Sequence, residues 1–238
     1  MHILIKVIAG EKDLHICFLS QELYPIPGGT GRYVYELSKA LSSLGHDITI
    51  ITKNVNPHSS QVESNMESNK IRILYTKSYS SIIYLFEVPK VLKKILSDID
   101  LIHSQIPLLP DLFVRKSSIK KPIVETIHSI SPQETYALRY EKKTNLSFHE
   151  ARLLLLSPLH NLLEARLLQR SDMIIALSRS TGCEAIKKYN LNASKLRIVY
   201  IGVDHQKFNP YVKGSEAIRD RYASVSYTHL TLPTTERV

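Results

Sequence analysis

Short apolar runs, each about the length of one strand, recur along the chain and alternate with stretches of helical periodicity. The runs are rich in Ile, Val and Leu and nearly continuous in hydrophobicity, a pattern typical of strands that are buried on both faces of a parallel sheet. The predicted strands are 14–20, 47–52, 71–75, 101–104, 123–126, 173–177 and 196–200.

The stretches between these strands have the spacing of amphipathic helices. Over 32–44 the apolar positions fall on one helical face, and Gly45 follows as a C-terminal stop. Helices are also predicted over 81–96, where Pro89 weakens the pattern, and over 180–189. Ser178 is expected to cap the last of these.

The leucine-rich stretch 146–170 is predicted to form two helical pieces. Ser157 can cap the second piece, with Pro158 in its first turn. The leucines of this stretch form a wide apolar stripe, which we interpret as part of the core. They include Leu159, Leu162, Leu163 and Leu167.

Alternating strands and helices predict an α/β fold with a doubly wound parallel sheet of the Rossmann-like type. Ligands of such sheets bind outside the carboxyl ends of the strands. The residues that follow the strands are therefore candidate ligand contacts. A glycine-rich loop follows the first strand, His103 to Gln105 ends the fourth, His128 follows the fifth, Ser178 the sixth and Gly202 the seventh.

Composition and charge limit the choice of partners. The chain is 43% hydrophobic and 22% charged, as ordinary globular domains are. A net charge of +9 favours an anionic partner such as a nucleotide or a phospholipid head group, although a solvated lysine-rich surface explains it equally well. Basic residues occur in short, scattered pairs, which disfavours nucleic acid. No apolar run approaches the roughly 18 residues of a membrane span.

The chain has two cysteines, Cys17 and Cys183. They are far apart in sequence, so they indicate neither a disulfide framework nor a metal site, and they favour a reducing compartment. Cys17 lies within an apolar run and is predicted to belong to the core.

A Pro-Gly-Gly-Thr-Gly segment at 27–31 leads directly into the first helix. Glycine lets a backbone approach a ligand closely, and N-terminal helix amides attract phosphate oxygens. Gly28, Gly29 and Thr30 are therefore candidate contacts, although a tight turn without a ligand is equally consistent. The segment is neither a Walker loop, since no Gly-Lys-Ser/Thr follows, nor a dinucleotide fingerprint, since Val34 replaces the third glycine.

His103 and His128 each end or follow an apolar strand, where they could bind a ligand, exchange a proton or donate to a hydroxyl group. Neither has a cysteine or carboxylate at metal-ligand spacing, so no metal site is predicted. A purely structural role is the simpler interpretation for His103, and the ligand-contacting role is favoured for His128.

Five segments, in order, resemble the group-4 family of retaining glycosyltransferases over about residues 14–210. The first contains a strand, a Pro-then-Gly-Gly loop, a helix and a Gly-His pair, and reads ICFLSQELYPIPGGTGRYVYELSKALSSLGHDITIIT. The others read IDLIHSQIPLLP around His103, KPIVETIHSI around His128, SDMIIALSRSTGCEAI around Ser178, and LRIVYIGVDHQKFNP around Gly202.

The resemblance implies one half of a two-domain GT-B enzyme that transfers a sugar, with retention, from a nucleotide-sugar such as a UDP- or GDP-sugar to a glycan or lipid acceptor. It implies no cofactor and no metal requirement. His128 matches a histidine that contacts the donor sugar near the reacting carbon, and it is the catalytic candidate. The implied substrate- or donor-binding residues are Gly28, Gly29, Thr30, His103 and Gln105.

The predicted organisation has four parts: an extension or extra strand over 1–13, the acceptor-side Rossmann-like domain over 14–210, the start of a link or second domain over 211–224, and a non-native tail over 225–238. The tail fits nothing before it and looks like translated adapter sequence. We therefore expect that the C-terminal donor domain is missing in cis and that the chain alone is inactive.

The expected location is the cytoplasm, with peripheral contact at the inner face of the membrane. Two other functions stay open. One is an NAD(P)- or nucleotide-sugar-dependent oxidoreductase or epimerase, which the incomplete glycine motif disfavours. The other is a binding module for a sugar or nucleotide that carries out no catalysis.

Overall fold

The structure is a computed structural model that describes residues 13–25, 28–53, 70–77, 81–105, 120–130, 148–206 and 208. The chain divides into two compact units, Met1–Tyr200 and Ile201–Val238. All helices and strands below belong to the first unit. Most of the predicted extension and of the loop 54–70, and the whole of the tail 225–238, lie outside the described residues.

The described strands form one sheet in which every neighbouring pair is parallel. Their order is β3-β2-β1-β4-β5-β6-β7, which confirms the predicted doubly wound sheet. The strands are β1 (His15–Leu19), β2 (Asp47–Thr52), β3 (Ile71–Tyr75), β4 (Leu101–Ser104), β5 (Ile123–Ile127), β6 (Met173–Ala176) and β7 (Leu196–Ile198).

Helices cover both faces of the sheet. They are α1 (Gly29–Ser43), α2 (Ser81–Ile95), α3 (Phe148–Arg170) and α4 (Arg179–Tyr189), and a short 3-10 helix (Ala193–Lys195) precedes β7. Helix α1 packs on the face that carries Phe18 and Val124. Helix α2 packs on the opposite face with Ile123, and α3 and α4 pack there with Ile127.

Alternate residues of the central strand β1 enter opposite cores, which explains its continuous hydrophobicity. Ile16 and Phe18 pack beneath α1, whereas Cys17 and Leu19 pack beneath α2. Cys17 is fully buried, as predicted, and burial raises the pKa of its thiol to about 12.

Helix α1 begins at Gly29, three residues before its predicted start, and ends at Ser43. Gly45 follows with a φ of 103° and donates its N–H to Ser42 O, which confirms the predicted stop. Near the start of the helix, Gly31 packs against the chain that leaves β1. A Cβ on Gly31 would lie 3.1 Å from Leu23 N.

Helix α3 is one continuous element, so the prediction of two pieces with a Ser157 cap is wrong. Pro158 has no N–H to donate to the carbonyl of Leu154, one turn earlier. The Ser157 hydroxyl donates to that carbonyl instead, over 2.8 Å. The helix therefore continues through the proline without leaving this acceptor unpaired.

The leucine stripe of α3 is only partly core, which corrects a second prediction. Leu167 is buried, but Leu159 is 55% exposed and Leu162 is also exposed. Leu155, at 79% exposure, extends this outward face by one further turn. Only the face toward β5 and β6 is covered, because the stripe is wider than the area that these strands offer.

Aspartates at the amino edge of the sheet have structural partners. Asp100 Oδ2 accepts the N–H of His15 at 2.9 Å, and Asp172 Oδ2 accepts the N–H of Ile123 at the same distance. These carboxylates fix the starts of two neighbouring strands. The site candidates from β1, β4 and β5 lie at the opposite edge.

We predict that Gly31→Ala lowers the free energy of unfolding by about 1–3 kcal/mol, because its Cβ would press on rigid backbone. Gly29→Ala is the matched control: a Cβ there meets nothing within 4 Å, so its effect should stay within about 0.5 kcal/mol. Urea unfolding of both variants measures the difference. Equal stabilities would contradict the packing described for Gly31.

Candidate functional site

The order of the sheet reverses between β1 and β4, and a crevice opens there at the carboxyl edge. β1 pairs with β2 on one side and with β4 on the other. Gln105 N donates to Leu19 O at 3.1 Å, while Ser20 N donates to Ile51 O on the other side of β1. The chain segments after β1 and β4 therefore separate at this point.

His128 and Gln105 meet at this edge. His128 Nε2 lies 3.2 Å from Gln105 Oε1 in a hydrogen bond between the residue after β5 and the residue after β4. Gln105 is only 1% exposed, and its amide nitrogen has no hydrogen-bond partner among the described residues. His128 is half-buried, so a ligand can reach it.

His103 lies one layer deeper. Its Nε2 is hydrogen-bonded to Thr126 Oγ1 at 2.7 Å, and its ring stacks at a tilt on Phe18, with ring centroids 4.9 Å apart. Burial, assisted by the nearby His128, lowers the pKa of His103 to about 3. A buried, neutral histidine with a partner on the next strand fits the structural interpretation of this residue.

Tyr33 of α1 closes this cluster from the helix layer. Its ring meets His128 edge to face, with centroids 5.1 Å apart and an interplanar angle of 86°. Its hydroxyl is hydrogen-bonded to Thr126, and burial raises the pKa of Tyr33 in spite of that bond. Burial also lowers the pKa of His128, to about 4, so both histidines are neutral near pH 7.

The glycine loop holds a carboxylate of this chain. A Cβ on Gly28 would collide with Glu22 Oε2, so the Glu22 side chain lies against the start of α1. The expected occupant of that position was a phosphate, which a carboxylate repels. Gly29 is open, with nothing within 4 Å of a Cβ, and Thr30 in the first turn is half-buried.

The other predicted edge residues have separate roles. Ser178 Oγ accepts the N–H of Thr181 at 3.0 Å, which confirms it as the cap of α4. Gly182 packs tightly in the same helix, where a Cβ would lie 3.2 Å from Ala176 Cβ. Gly202 belongs to the second unit, which the structure describes separately from the crevice.

Two members of the cluster, Tyr33 and Thr126, were missed by the sequence analysis. Thr126 ends a predicted strand and Tyr33 lies on the apolar side of α1, so both have the pattern of core residues. Only the packing of α1 against β5 brings them to the histidines. No local signal in the sequence indicates that contact.

No three His, Cys, Asp or Glu side chains cluster as metal ligands within the ranges that the structure describes. No helix in those ranges is both long enough and apolar enough to cross a membrane. The absence of a metal requirement stays a prediction.

The sheet order and the polar crevice at its reversal define a doubly wound α/β domain of the nucleotide-binding kind. The sequence model of Glycosyltransferase Family 4 matches residues 27–207. The chain therefore belongs to glycosyltransferase family 4, which confirms the resemblance found in the sequence.

One curated relative is a subunit of the human phosphatidylinositol N-acetylglucosaminyltransferase, which is 27% identical over 202 residues. The match covers 82% of this chain and 38% of the relative.

Two solved structures share the fold. A glycosyltransferase from Rickettsia africae ESF-5 matches with a TM-score of 0.60 at 16% identity, covering 90% of this chain and 51% of that one. HepE from Anabaena, in complex with UDP and glucose, matches with a TM-score of 0.58 at 17% identity, covering 88% and 50%. The chain thus spans about half the length of these proteins, and the predicted Rossmann-like half of a GT-B fold is confirmed.

We predict that the free energy of unfolding falls as the pH drops from about 6.5 toward 4. The pKa values of His103 and His128 lie at about 3 and 4 in the folded chain, below the ordinary 6.5 of the unfolded chain. The unfolded state therefore binds more protons in this window, and stability is complete only above it. Each histidine contributes at most about 1.4 kcal/mol per pH unit.

Urea unfolding between pH 4 and 7 measures this slope. His103→Asn and His128→Asn should each reduce it, and the double variant should reduce it most. An unchanged slope in the double variant would show that other groups cause the pH dependence.

Proposed function

We propose that this chain is the acceptor-side domain of an enzyme that transfers a sugar, with retention, from a nucleotide-sugar such as a UDP- or GDP-sugar. The observation that carries the proposal is the His128–Gln105 pair at the crevice of a family 4 chain. The fold neighbour HepE was solved with UDP-glucose as well as with UDP and glucose, which supports a nucleotide-sugar donor.

In this proposal His128 acts as a neutral hydrogen-bonding group near the reacting carbon. Its lowered pKa makes it a poor source of positive charge near pH 7. Charge that develops on the leaving diphosphate must then be stabilised by cationic groups and amide dipoles. We assign these groups to a further domain in cis, and the proposed mechanism needs no metal or other cofactor.

The glycine loop belongs on the acceptor side of the proposed cleft. Glu22 lies against Gly28 at the start of α1. A carboxylate accepts hydrogen bonds from hydroxyl groups and repels phosphate, so the loop suits a hydroxyl-rich glycan or lipid acceptor better than the donor diphosphate. Gly29 leaves room for such a group to approach the backbone.

We also propose a cytoplasmic location with peripheral membrane contact through α3. Leu155, Leu159 and Leu162 are exposed, and the exposed residues Arg166 and Arg170 continue the same face of α3 toward its C-terminal end. Leucines beside arginines suit the headgroup boundary of an anionic bilayer. Co-sedimentation with phosphatidylglycerol vesicles measures this contact, and a chain that stays in the supernatant at low salt would remove it.

The other two functions fare differently. The family match and the incomplete glycine motif speak against the NAD(P)-dependent oxidoreductase or epimerase. A binding module without catalysis differs from our proposal in turnover, so the same assay separates the two.

We predict that the purified 238-residue chain releases no more UDP from UDP-glucose than its His128→Ala variant, because donor-binding groups lie in another domain. In the two-domain enzyme, His128→Ala should lower turnover on the order of 100-fold, while donor affinity is largely kept. Coupled UDP detection and calorimetry measure both quantities. Wild-type turnover in the variant would remove His128 from the site, and no transfer by the two-domain enzyme would favour the binding module.

A further inference from the structure

The Gln105 side chain is buried beside a functional candidate with only one of its two polar ends in use. Its Oε1 is bonded to His128 Nε2, and its Nε2 has no partner among the described residues. Keeping an amide in this place has a desolvation cost that packing alone does not explain. The bond to His128 is therefore the feature that gives this residue a role.

The chemistry of that bond fixes the state of the ring. An amide oxygen only accepts hydrogen bonds, so the ring nitrogen facing it must donate. A neutral His128 then carries its proton on Nε2 and its lone pair on Nδ1. Gln105 thus selects one tautomer of a ring that could otherwise adopt either.

A second contact limits the rotation of the same ring. The Tyr33 ring meets it at 86° from the side of α1, and the Tyr33 hydroxyl is held by Thr126. Thr126 is also the partner of His103. His128 is therefore held between the end of β4 and helix α1, with a buried layer of hydrogen bonds beneath Tyr33.

We infer that Gln105 and Tyr33 are positioning residues that hold His128 with its proton on Nε2 and with Nδ1 as a hydrogen-bond acceptor for a ligand hydroxyl. The identity of that hydroxyl as a sugar group rests on the proposed function. The ring state and the two contacts that hold it do not, because they belong to the ligand-free chain.

Nuclear magnetic resonance of the ¹⁵N-labelled 238-residue chain tests this inference, with His128→Asn assigning the signal among ten histidines. The expected spectrum shows the Nε2–H tautomer, with a ring proton that exchanges slowly enough with water to be detected. Observation of the Nδ1–H tautomer would overturn the inference, because it would mean that the Gln105 nitrogen donates to the ring.

Gln105→Leu should abolish the slowly exchanging ring proton while backbone amide signals elsewhere stay in place. Gln105→Glu keeps an acceptor and adds a charge, so it should keep the proton and raise the pH of half-titration by at least about one unit. If Gln105→Leu fails to fold, Gln105→Glu keeps the test decisive. A ring proton and titration that neither variant changes would overturn the role of Gln105.

Tyr33→Leu and Tyr33→Phe separate the ring contact from the hydroxyl bond. Tyr33→Leu should let the His128 ring adopt a second orientation, seen as doubled or broadened signals, while Tyr33→Phe should keep a single one. Identical spectra for both would remove Tyr33. Addition of UDP-glucose should shift Nδ1; if it does not while the tautomer holds, the hydroxyl-acceptor role fails and the positioning stands.

Discussion

The parallel pairing of β1 with β4 is the constraint on which the site depends. It makes the sheet order reverse at β1, and it puts Gln105 beside the end of β1 through the bond from its N–H to Leu19 O. β4 pairs with β5 in the register Ser104↔Glu125, so His128 follows three residues beyond that pair. The two side chains meet because the register of two strand pairs brings them level.

The strand positions could be predicted from the sequence because the sheet is buried on both sides. A strand covered by helices on both faces must be apolar at every position, and such runs end where the strand ends. The observed limits of β2, β3 and β4 equal the predicted ones. The start of α1 was misjudged by three residues, since Gly29 and Gly31 are poor helix formers and tertiary packing holds them in place.

Helix α3 shows why local rules failed elsewhere. Pro158 normally marks a helix start, but the Ser157 hydroxyl replaces the missing donor and the helix continues. The exposure of Leu155 and Leu159 depends on how much of the helix the sheet can cover. Helical periodicity gives the direction of a side chain and does not give the extent of the surface that covers it.

The candidate site could be predicted in part. His103 and His128 have the same residue type and similar sequence surroundings, yet one is buried within β4 and the other lies just after β5. That difference of a few residues along a strand separates a structural histidine from an accessible one. Tyr33 and Thr126 could not be found, because the contact between α1 and β5 joins residues 93 positions apart in numbering (126 minus 33).

Backbone amide mapping during a titration with UDP-glucose tests the location of the site most directly. The account predicts that the amides of Gly29, Gln105 and His128 shift at the carboxyl edge. The amides of Asp100 and Asp172, whose side chains fix strand starts at the amino edge, should stay unchanged. Shifts confined to the amino edge, with the carboxyl edge unchanged, would contradict the account.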